Sequence, residues 1–151
     1  MSRTYDVAIA GATGAVGEAL LQILEEREFP VGRLFPLASE RSVDRTVRFR
    51  GEDLRVEVLD DFDFGQVQLG LFSAGGSVSE RIVPRAVEAG AVVIDNTSRF
   101  RYDEEVPLVV PECNAERIAD YTRRGIIANP NCSTIQMVVA CKPIQDAVGI
   151  D

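Results

Sequence analysis

A cysteine, Cys132, stands where an apolar run typical of a strand ends and one typical of a helix begins, within Asn129 to Gln136. A thiol in the first turn of a helix lies among backbone N–H groups that lack an intrahelical partner, and the positive end of the helix dipole favours thiolate over thiol. The thiolate is the form that attacks a carbonyl carbon. The sequence therefore predicts that Cys132 is a nucleophile; a buried cysteine at an ordinary helix start is the alternative.

The segment Gly11 to Gly17 has the spacing G-x-x-G-x-x-G, follows the apolar run Tyr5 to Ala10 and precedes apolar residues at helical spacing. Strand, glycine turn and helix in this order are typical of a site for the pyrophosphate of a dinucleotide. We expect Gly11 to turn the chain off the strand, Gly14 to let the backbone approach the pyrophosphate and Gly17 to let the helix pack against the sheet. A tight turn without a ligand is the alternative.

The second predicted strand, Arg33 to Ala38, leads into Glu40, Arg41 and Ser42. At this position of a dinucleotide-binding fold, an acidic residue accepts a hydrogen bond from the ribose 2′-hydroxyl, whereas an arginine accommodates a 2′-phosphate. Arg41 followed by the hydroxyl of Ser42 makes a small anion clamp, which favours NADP over NAD. The alternative is that Arg41 is a solvated surface charge.

Small residues end the next predicted strand, Leu69 to Ser73, and continue through Ala74 to Ser77. A turn of small residues at the carboxyl end of a parallel strand lets the backbone come close to a ligand. Ser73 and Gly75 are therefore candidates for a second wall of the cofactor cleft, with a plain turn as the alternative.

A polar loop, Asn96 to Arg101, follows a further strand and carries two arginines at the edge where the cofactor turns are expected. Guanidinium groups bind phosphate or carboxylate through two parallel hydrogen bonds, so Arg99 or Arg101 is a candidate for a substrate anion site. Pairing of these arginines with the acidic residues at 103–105 is an equally good interpretation.

Strands and helices alternate along the chain, which predicts an α/β fold with a Rossmann-like doubly wound, mostly parallel sheet in one domain over residues 1–151. We interpret Asp60 to Phe64 as a solvated connector without a chemical role and expect Asn114 to cap a helix. The other predicted elements are a hairpin within Thr46 to Val58, helices over Ser79 to Ala89 and Ala115 to Arg124, strands over Ala91 to Asp95 and Gly125 to Ala128, and an apolar helix from Ile135 toward Pro143.

Composition argues against several classes of partner. The chain has 151 residues, of which 46% are hydrophobic and 26% charged, and this fits one globular domain. A net charge of -8 disfavours a nucleic-acid partner, because the phosphate backbone demands clustered Lys and Arg. Apolar runs such as Ile135 to Ala140 are far too short to span a membrane, so we expect no membrane partner.

Cysteine and histidine usage points to free thiols and no metal. Cys113, Cys132 and Cys141 are an odd number at spacings that resemble neither a disulfide framework nor a zinc site, and the sequence contains no histidine. With no signal-peptide core after Met1, we expect a reducing, cytoplasmic location.

The glycine turn and the cysteine stretch together make the sequence similar to the N-terminal, cofactor-binding half of the aspartate-β-semialdehyde dehydrogenase family. The similarity covers essentially the whole chain, and its last segment is the most specific because it matches Cys132 with the catalytic cysteine of that family. The segments are Gly11 to Gly17 (GATGAVG), Ser73 to Ser77 (SAGGS), Asp95 to Arg101 (DNTSRFR), Val106 to Asn114 (VPLVVPECN) and Asn129 to Ala140 (NPNCSTIQMVVA).

The resemblance implies an NADP-dependent enzyme that converts the acyl phosphate L-aspartyl-4-phosphate to aspartate semialdehyde and inorganic phosphate, in the branch leading to lysine, threonine and methionine. It implies that the Cys132 thiolate attacks the acyl phosphate and that NADPH reduces the resulting thioester. The family pattern also favours a substrate-binding role for Arg101 over a surface ion pair. It assigns Thr13, Gly14, Ala15 and Val16 to the cofactor phosphates, Arg41 and Ser42 to the 2′-phosphate, and Arg101, with Asn96 as a secondary candidate, to the substrate phosphoryl group.

The sequence departs from the family pattern at several positions. Val43 and Asp44 follow Ser42, which brings an acidic side chain toward the proposed 2′-phosphate site, and Cys113 and Cys141 stand where aliphatic residues are expected. The second half of the family, with its general-base histidine and most of its homodimer interface, has no counterpart in these 151 residues. We therefore expect the chain alone to bind NADP weakly without turnover.

Two other functions stay open. One is that of another acyl-phosphate reductase, such as N-acetyl-glutamyl-phosphate reductase, although Asn131 to Thr134 fits the semialdehyde dehydrogenase pattern better. The other is a non-catalytic NADP-binding module.

Overall fold

Residues 3–150 are described by the structure, a computed structural model, and within them eight strands alternate with four α-helices and short 3-10 segments. The strands are β1 (Tyr5–Ala10), β2 (Val31–Ala38), β3 (Thr46–Phe49), β4 (Glu52–Arg55), β5 (Glu57–Val58), β6 (Leu69–Phe72), β7 (Val92–Asp95) and β8 (Ile126–Ala128). The α-helices are α1 (Ala15–Glu26), α2 (Gly76–Glu88), α3 (Pro111–Asn114) and α4 (Cys132–Val148). The 3-10 segments are Glu40–Ser42, Leu59–Asp61, Phe64–Gln66 and Ala115–Arg123.

Six of the strands form one sheet in the order β5-β2-β1-β6-β7-β8, and every neighbouring pair is parallel. The central strand β1 aligns Ile9 with Pro36 of β2 on one side and with Leu71 of β6 on the other. The chain winds outward from β1 in both directions, so the strand order reverses between β1 and β6. The α/β, Rossmann-like doubly wound sheet is thereby confirmed, and its switch point is the place where such sheets bind ligands.

Two apolar clusters pack on opposite faces of the sheet. Alternate residues of β1 divide between them, Ala8 and Ala10 on one face and Val7 and Ile9 on the other, and all four are fully buried. The first cluster contains buried residues of α2, and the second contains Leu21 of α1. A parallel strand covered on both faces must be apolar throughout, which explains why the sequence of β1 is a continuous apolar run.

The segment that we interpreted as a solvated connector, Asp60 to Phe64, is partly core. Phe62 and Phe64 are each at most 5% exposed and pack edge to face, with ring centroids 5.1 Å apart, whereas Asp60, Asp61 and Asp63 stay exposed. The interpretation was wrong for the two phenylalanines, because acidic and apolar residues alternate here and only the acidic ones face water.

Other differences are local. The predicted hairpin is the antiparallel pair β3–β4, but residues 57–58 leave it to pair in parallel with β2. The predicted helix after Asn114 is the 3-10 segment Ala115–Arg123, and Asn114 occupies its N-cap position without making a side-chain capping hydrogen bond. Its side chain instead accepts from Val110 N at 2.8 Å and donates to Leu108 O at 3.0 Å.

Helix α4 has no buried residue among those that the structure describes. It continues through Pro143 to Val148, past the predicted end, and Met137 and Ile144 are 60% and 54% exposed. Across residues 3–150, no helix combines the length and apolar character needed to cross a membrane.

Candidate active site

The glycine turn after β1 is held from two sides. Gly11 N and Ala12 N both donate to Leu37 O of β2, at 2.9 and 3.1 Å, and Ser73 N donates to Ala10 O at 2.9 Å. Gly11 has a φ of +88°, a conformation that side chains rarely adopt. The turn expected at Gly11 is therefore present, and hydrogen bonds from both neighbouring strands fix it at the switch point.

Gly17 is required by a close approach of backbone to backbone. A Cβ atom at Gly17 would lie 2.3 Å from Gly11 O and 2.6 Å from Ala12 Cα. The tight contact is thus with Gly11 and Ala12 of the turn itself. The fingerprint predicts instead that Gly17 lets the helix pack against the sheet. A Cβ at Gly14 would meet Gly11 O at an ordinary 3.5 Å.

Helix α1 presents free backbone donors at this turn. Gly14 is its N-cap and supplies no side-chain hydrogen bond, and Glu18 N is the first amide to bond within the helix, to Gly14 O at 2.9 Å. The N–H groups of Ala15, Val16 and Gly17 precede that bond, as expected for the first turn of a helix. Such a turn attracts an anionic group through its donors and its dipole.

A cleft of about 310 Å³ opens beside this turn. It is bounded by the β1–α1 turn, the end of β2, the β6–α2 turn and the 3-10 segment Leu59–Asp61. Of the predicted cofactor residues, Ser42 and Ser73 line this cleft, as far as the described residues show. Arg41 and Gly75 do not line it. Arg41 is exposed and precedes Ser42 in the chain, and Gly75 is the N-cap of α2. The full lining is Gly11, Thr13, Gly14, Ala38, Ser39, Ser42, Leu59, Asp60, Ser73, Ala74, Val78 and Arg81.

A buried carboxylate, Asp95, organises the end of β7, although it is not among the site residues predicted from the sequence. Its Oδ1 accepts from Ser79 Oγ of α2 at 2.9 Å and from Thr97 N at 3.2 Å, and its Oδ2 accepts from Thr97 Oγ1 at 2.7 Å. Asp95 and Ser79 are both fully buried. The Asp-x-Thr spacing is a known turn-forming pattern and could have indicated this network, but its partner on α2 could not be identified that way.

The guanidinium of Arg101 lies across the ends of β7 and β8. Its Nε donates to Asn129 O at 2.9 Å and its Nη2 to Asn96 O at 3.1 Å, while Asn129 Nδ2 donates to Asn96 Oδ1 at 2.5 Å. Arg101 is half-buried. These contacts place the two predicted phosphate-site residues, Arg101 and Asn96, in one cluster.

The surface pairing that we had considered for Arg101 belongs to another residue. Arg124 Nη1 lies 3.2 Å from Asp103 Oδ2 and 3.3 Å from Glu105 Oε2, and Arg99 pairs with Glu80 at 3.1 Å. Asp103 and Glu105 therefore pair with Arg124, which lies about twenty residues later in the chain, and not with Arg101.

Cys132 is the first residue of α4, as the sequence predicts. The N-cap is Asn131, whose Oδ1 accepts from Ser133 N at 3.0 Å and from Ser133 Oγ at 2.5 Å. Cys132 is exposed, whereas Cys113 and Cys141 are half-buried. The alternative of a buried helix-start cysteine is excluded, and the thiol lies three residues beyond the carbonyl that Arg101 holds.

No group of three or more potential metal-binding His, Cys, Asp or Glu side chains occurs between residues 3 and 150. The site consists of a glycine turn at the switch point, free amides at the start of α1 and an exposed thiol at the start of α4. These features define a dinucleotide-binding domain of the Rossmann class that also carries a candidate nucleophile.

Comparison with known proteins assigns the family. Residues 6–121 match the family described as semialdehyde dehydrogenase, NAD binding domain, and the chain belongs to that family. It is 63% identical over 151 residues to aspartate-semialdehyde dehydrogenase 2 of Vibrio cholerae, covering 100% of this chain and 45% of that protein. It is 64% identical over 150 residues to aspartate-semialdehyde dehydrogenase of Legionella pneumophila, covering 99% and 43%. The chain thus spans a little under half the length of these curated relatives.

Solved structures agree with this assignment. The crystal structure of aspartate semialdehyde dehydrogenase II complexed with ASA from Vibrio cholerae matches with a TM-score of 0.95 and 63% identity, over 98% of this chain and 48% of that one. The enzyme from Candida albicans, solved with NADP, matches with a TM-score of 0.79 and 25% identity, over 98% and 48%. The resemblance to aspartate-semialdehyde dehydrogenases is confirmed.

Proposed function

We propose that this chain is the cofactor-binding and nucleophile-bearing part of an enzyme that reduces L-aspartyl-4-phosphate to L-aspartate 4-semialdehyde. The observation that carries the proposal is the exposed Cys132 at the start of α4, joined through Asn129 to the guanidinium of Arg101. A thiol beside an anion-binding group is the arrangement that attack on an acyl phosphate requires. The relatives named above carry the matching enzyme name, which supports the substrate.

The residues around the glycine turn fit a dinucleotide. The backbone amides at Ala15, Val16 and Gly17 precede the first intrahelical bond and offer donors to a pyrophosphate, with Thr13 and Gly14 on the cleft wall beside them. Gly14 lines the cleft, and a Cβ there would make one ordinary contact, at 3.5 Å to Gly11 O. Ser73 and Ala74 line the opposite side, and Gly75 follows them as the N-cap of α2. NADPH, when bound, supplies the hydride that converts a thioester to the aldehyde.

Selection of NADP over NAD is assigned to the segment after β2. Arg41 is exposed and Ser42 lines the cleft, so a 2′-phosphate at this edge has a guanidinium and a hydroxyl within the same 3-10 turn. The structure of the Candida albicans relative with NADP supports this cofactor.

Arg101 and Cys132 act on the acyl phosphate. Arg101 holds the phosphoryl group, with Asn96 beside it, so that the carbonyl carbon lies near the thiol at the first turn of α4. The Cys132 thiolate forms a bond from sulfur to that carbon, the bond from carbon to the phosphate oxygen breaks, and inorganic phosphate leaves with the electron pair. Asn131 Oδ1 caps Ser133 N, and the remaining first-turn N–H groups and the helix dipole favour negative charge at this end of α4.

The whole protein is proposed to be a cytoplasmic homodimer acting on small molecules, without nucleic-acid or membrane partners. The expectation that the 151 residues alone bind NADP without turnover stays a prediction.

The test uses the whole protein that contains this chain and follows phosphate-dependent reduction of NADP with either aspartate semialdehyde or N-acetyl-glutamate semialdehyde. We expect activity with the first aldehyde, loss of about 10⁴-fold or more in Cys132→Ser, and near-normal activity in Cys113→Ser, which removes a half-buried thiol. Preference for the second aldehyde would assign the related acyl-phosphate reductase activity instead.

Alkylation separates an enzyme from a non-catalytic module. Because Cys132 is exposed at a helix start, we expect it to react with iodoacetamide at neutral pH faster than a free peptide thiol and faster than Cys113 or Cys141. A rate equal to that of the free thiol, together with tight NADP binding, would favour the binding module.

A further inference from the structure

Two opposite charges face each other in the cofactor cleft. Arg81 of α2 and Asp60 of the 3-10 segment Leu59–Asp61 form an ion pair from Nη1 to Oδ1, and both side chains are about half exposed. Among the cleft-lining residues that the structure describes, they are the two that carry charge. Neither residue has a role in the function proposed above.

The backbone beneath Asp60 is anchored by a second arginine. Arg85 Nη1 donates to the main-chain carbonyl of Asp60 at 3.0 Å. Arg81 and Arg85 are four residues apart on α2 and so lie on one face of the helix. Arg81 contacts the carboxylate inside the cleft, whereas Arg85 contacts only the main chain and lies outside the lining. The two arginines thus differ in whether they can reach a bound cofactor.

The charge balance of the cleft depends on Arg81. The chain carries a net charge of -8, and Asp60 faces the same space, so an anionic group that enters is repelled unless a local cation compensates. Arg81 supplies that cation in a cleft that Ser39 and Ser42 also line. Arg41, the arginine expected at the 2′-phosphate, lies outside the lining.

We propose that Arg81 is a further NADP-selecting residue. Without NADP it pairs with Asp60, and the 2′-phosphate of NADP replaces the Asp60 carboxylate as its partner. A ribose 2′-phosphate carries about -1.5 to -2 charges at neutral pH and three acceptor oxygens, so it competes with a single carboxylate for a guanidinium. NAD has no such group and leaves the pair with Asp60 in place. The proposal deepens the function proposed above and rests on its assignment of NADP as cofactor.

The experiment measures the dissociation constants of NADP and NAD by isothermal titration calorimetry for the purified chain and its variants. We expect Arg81→Gln to raise the NADP constant about tenfold or more while the NAD constant changes less than about twofold. Arg85→Gln is the matched control, because it removes an arginine from the same helix face without removing a cleft-lining charge, and we expect neither constant to change more than about twofold.

A second variant keeps the test decisive if Arg81→Gln does not fold. Asp60→Asn removes the competing carboxylate, so we expect it to tighten NADP binding several-fold and to leave NAD binding unchanged. An unchanged ratio of the two constants in Asp60→Asn, or equal weakening of NADP and NAD in Arg81→Gln, overturns the proposal and leaves the proposed function standing. A wild-type chain that prefers NAD overturns the cofactor assignment itself.

Discussion

Arg101 Nε donates a 2.9 Å hydrogen bond to the main-chain carbonyl of Asn129, which lies 28 residues later in the chain and two residues before the N-cap of α4. Through Nη2 the same guanidinium holds Asn96 O at 3.1 Å. One side chain therefore joins the loops after β7 and β8, so hydrogen bonds connect the proposed phosphate site to the segment that leads to the proposed nucleophile.

The first prediction concerns Arg101→Lys in the whole protein. A lysine carries the charge but cannot reproduce two hydrogen bonds from a planar fork, so we expect kcat/KM to fall about 10- to 100-fold. Arg99→Lys is the control, because Arg99 pairs with an exposed glutamate, and it should change kcat/KM less than about twofold. Equal activity of Arg101→Lys and wild type in a steady-state assay would contradict the proposed role.

The second prediction separates two glycines of the turn. Gly17→Ala forces a Cβ to within 2.3 Å of Gly11 O, a backbone atom that cannot rotate away, so we expect a loss of about 1–3 kcal/mol in the free energy of unfolding. Gly14→Ala makes an ordinary 3.5 Å contact and should leave stability nearly unchanged while weakening NADP binding. Urea denaturation and calorimetric titration of both variants check this, and comparable destabilisation by the two would show that the contact at Gly17 is not the cause.

The third prediction concerns the buried network at the end of β7. Asp95→Ala leaves the Ser79 and Thr97 hydroxyls without their acceptor in a fully buried place, so we expect a loss of about 1–3 kcal/mol in the free energy of unfolding. Asp95→Asn keeps the shape, and the rotating hydroxyls can adapt to its amide, so it should recover part of the loss. Glu104→Ala, at an exposed position, is the control in the same denaturation series. A full loss in the asparagine variant would mean that the negative charge, rather than the hydrogen bonds, is required.

The fourth prediction concerns pH. The guanidinium of Arg33 donates to Asp6 Oδ2 from Nη2 at 2.8 Å, and Arg33 N donates to Oδ1 at 2.7 Å; the side-chain hydrogen bond is the main reason that the pKa of Asp6 lies below its ordinary value. A carboxyl group with a lowered pKa in the folded state stabilises the fold above its unfolded pKa, about 3.9, and this contribution is lost as the pH falls through the folded value. The loss of folding stability on acidification should therefore be smaller in Asp6→Asn than in the wild type.

Thermal melting at pH 7, 4 and 3 measures this difference. The melting temperatures of Asp6→Asn and wild type should converge as the pH falls below about 4. The control is Asp53→Asn, whose exposed carboxylate lies 3.4 Å from Arg48, and its profile should run parallel to that of the wild type. Parallel profiles for Asp6→Asn as well would show that Asp6 does not contribute to the acid sensitivity.

Local features of the chain were predictable because residues close to one another in sequence determine them. The apolar run of β1, the glycine turn at Gly11 and the helix that starts at Cys132 depend on neighbours within a few residues. Periodicity failed where apolar and acidic residues alternate around Phe62, because the same pattern fits both a solvated loop and a segment with one buried face.

The sequence by itself determined the class of fold, the turn for a dinucleotide and the position of the thiol at a helix start, since backbone preferences and apolar spacing are local. Only the tertiary structure decided which partners meet. Arg101 donates to backbone carbonyls and does not pair with the acidic residues near it in sequence. Asp95 accepts a hydrogen bond from Ser79, and Asp60 forms an ion pair with Arg81 in the cleft. These pairs are 28, 16 and 21 residues apart, and the sheet order brings each of them together. Contacts over such separations depend on how the elements pack, a property that no single segment encodes.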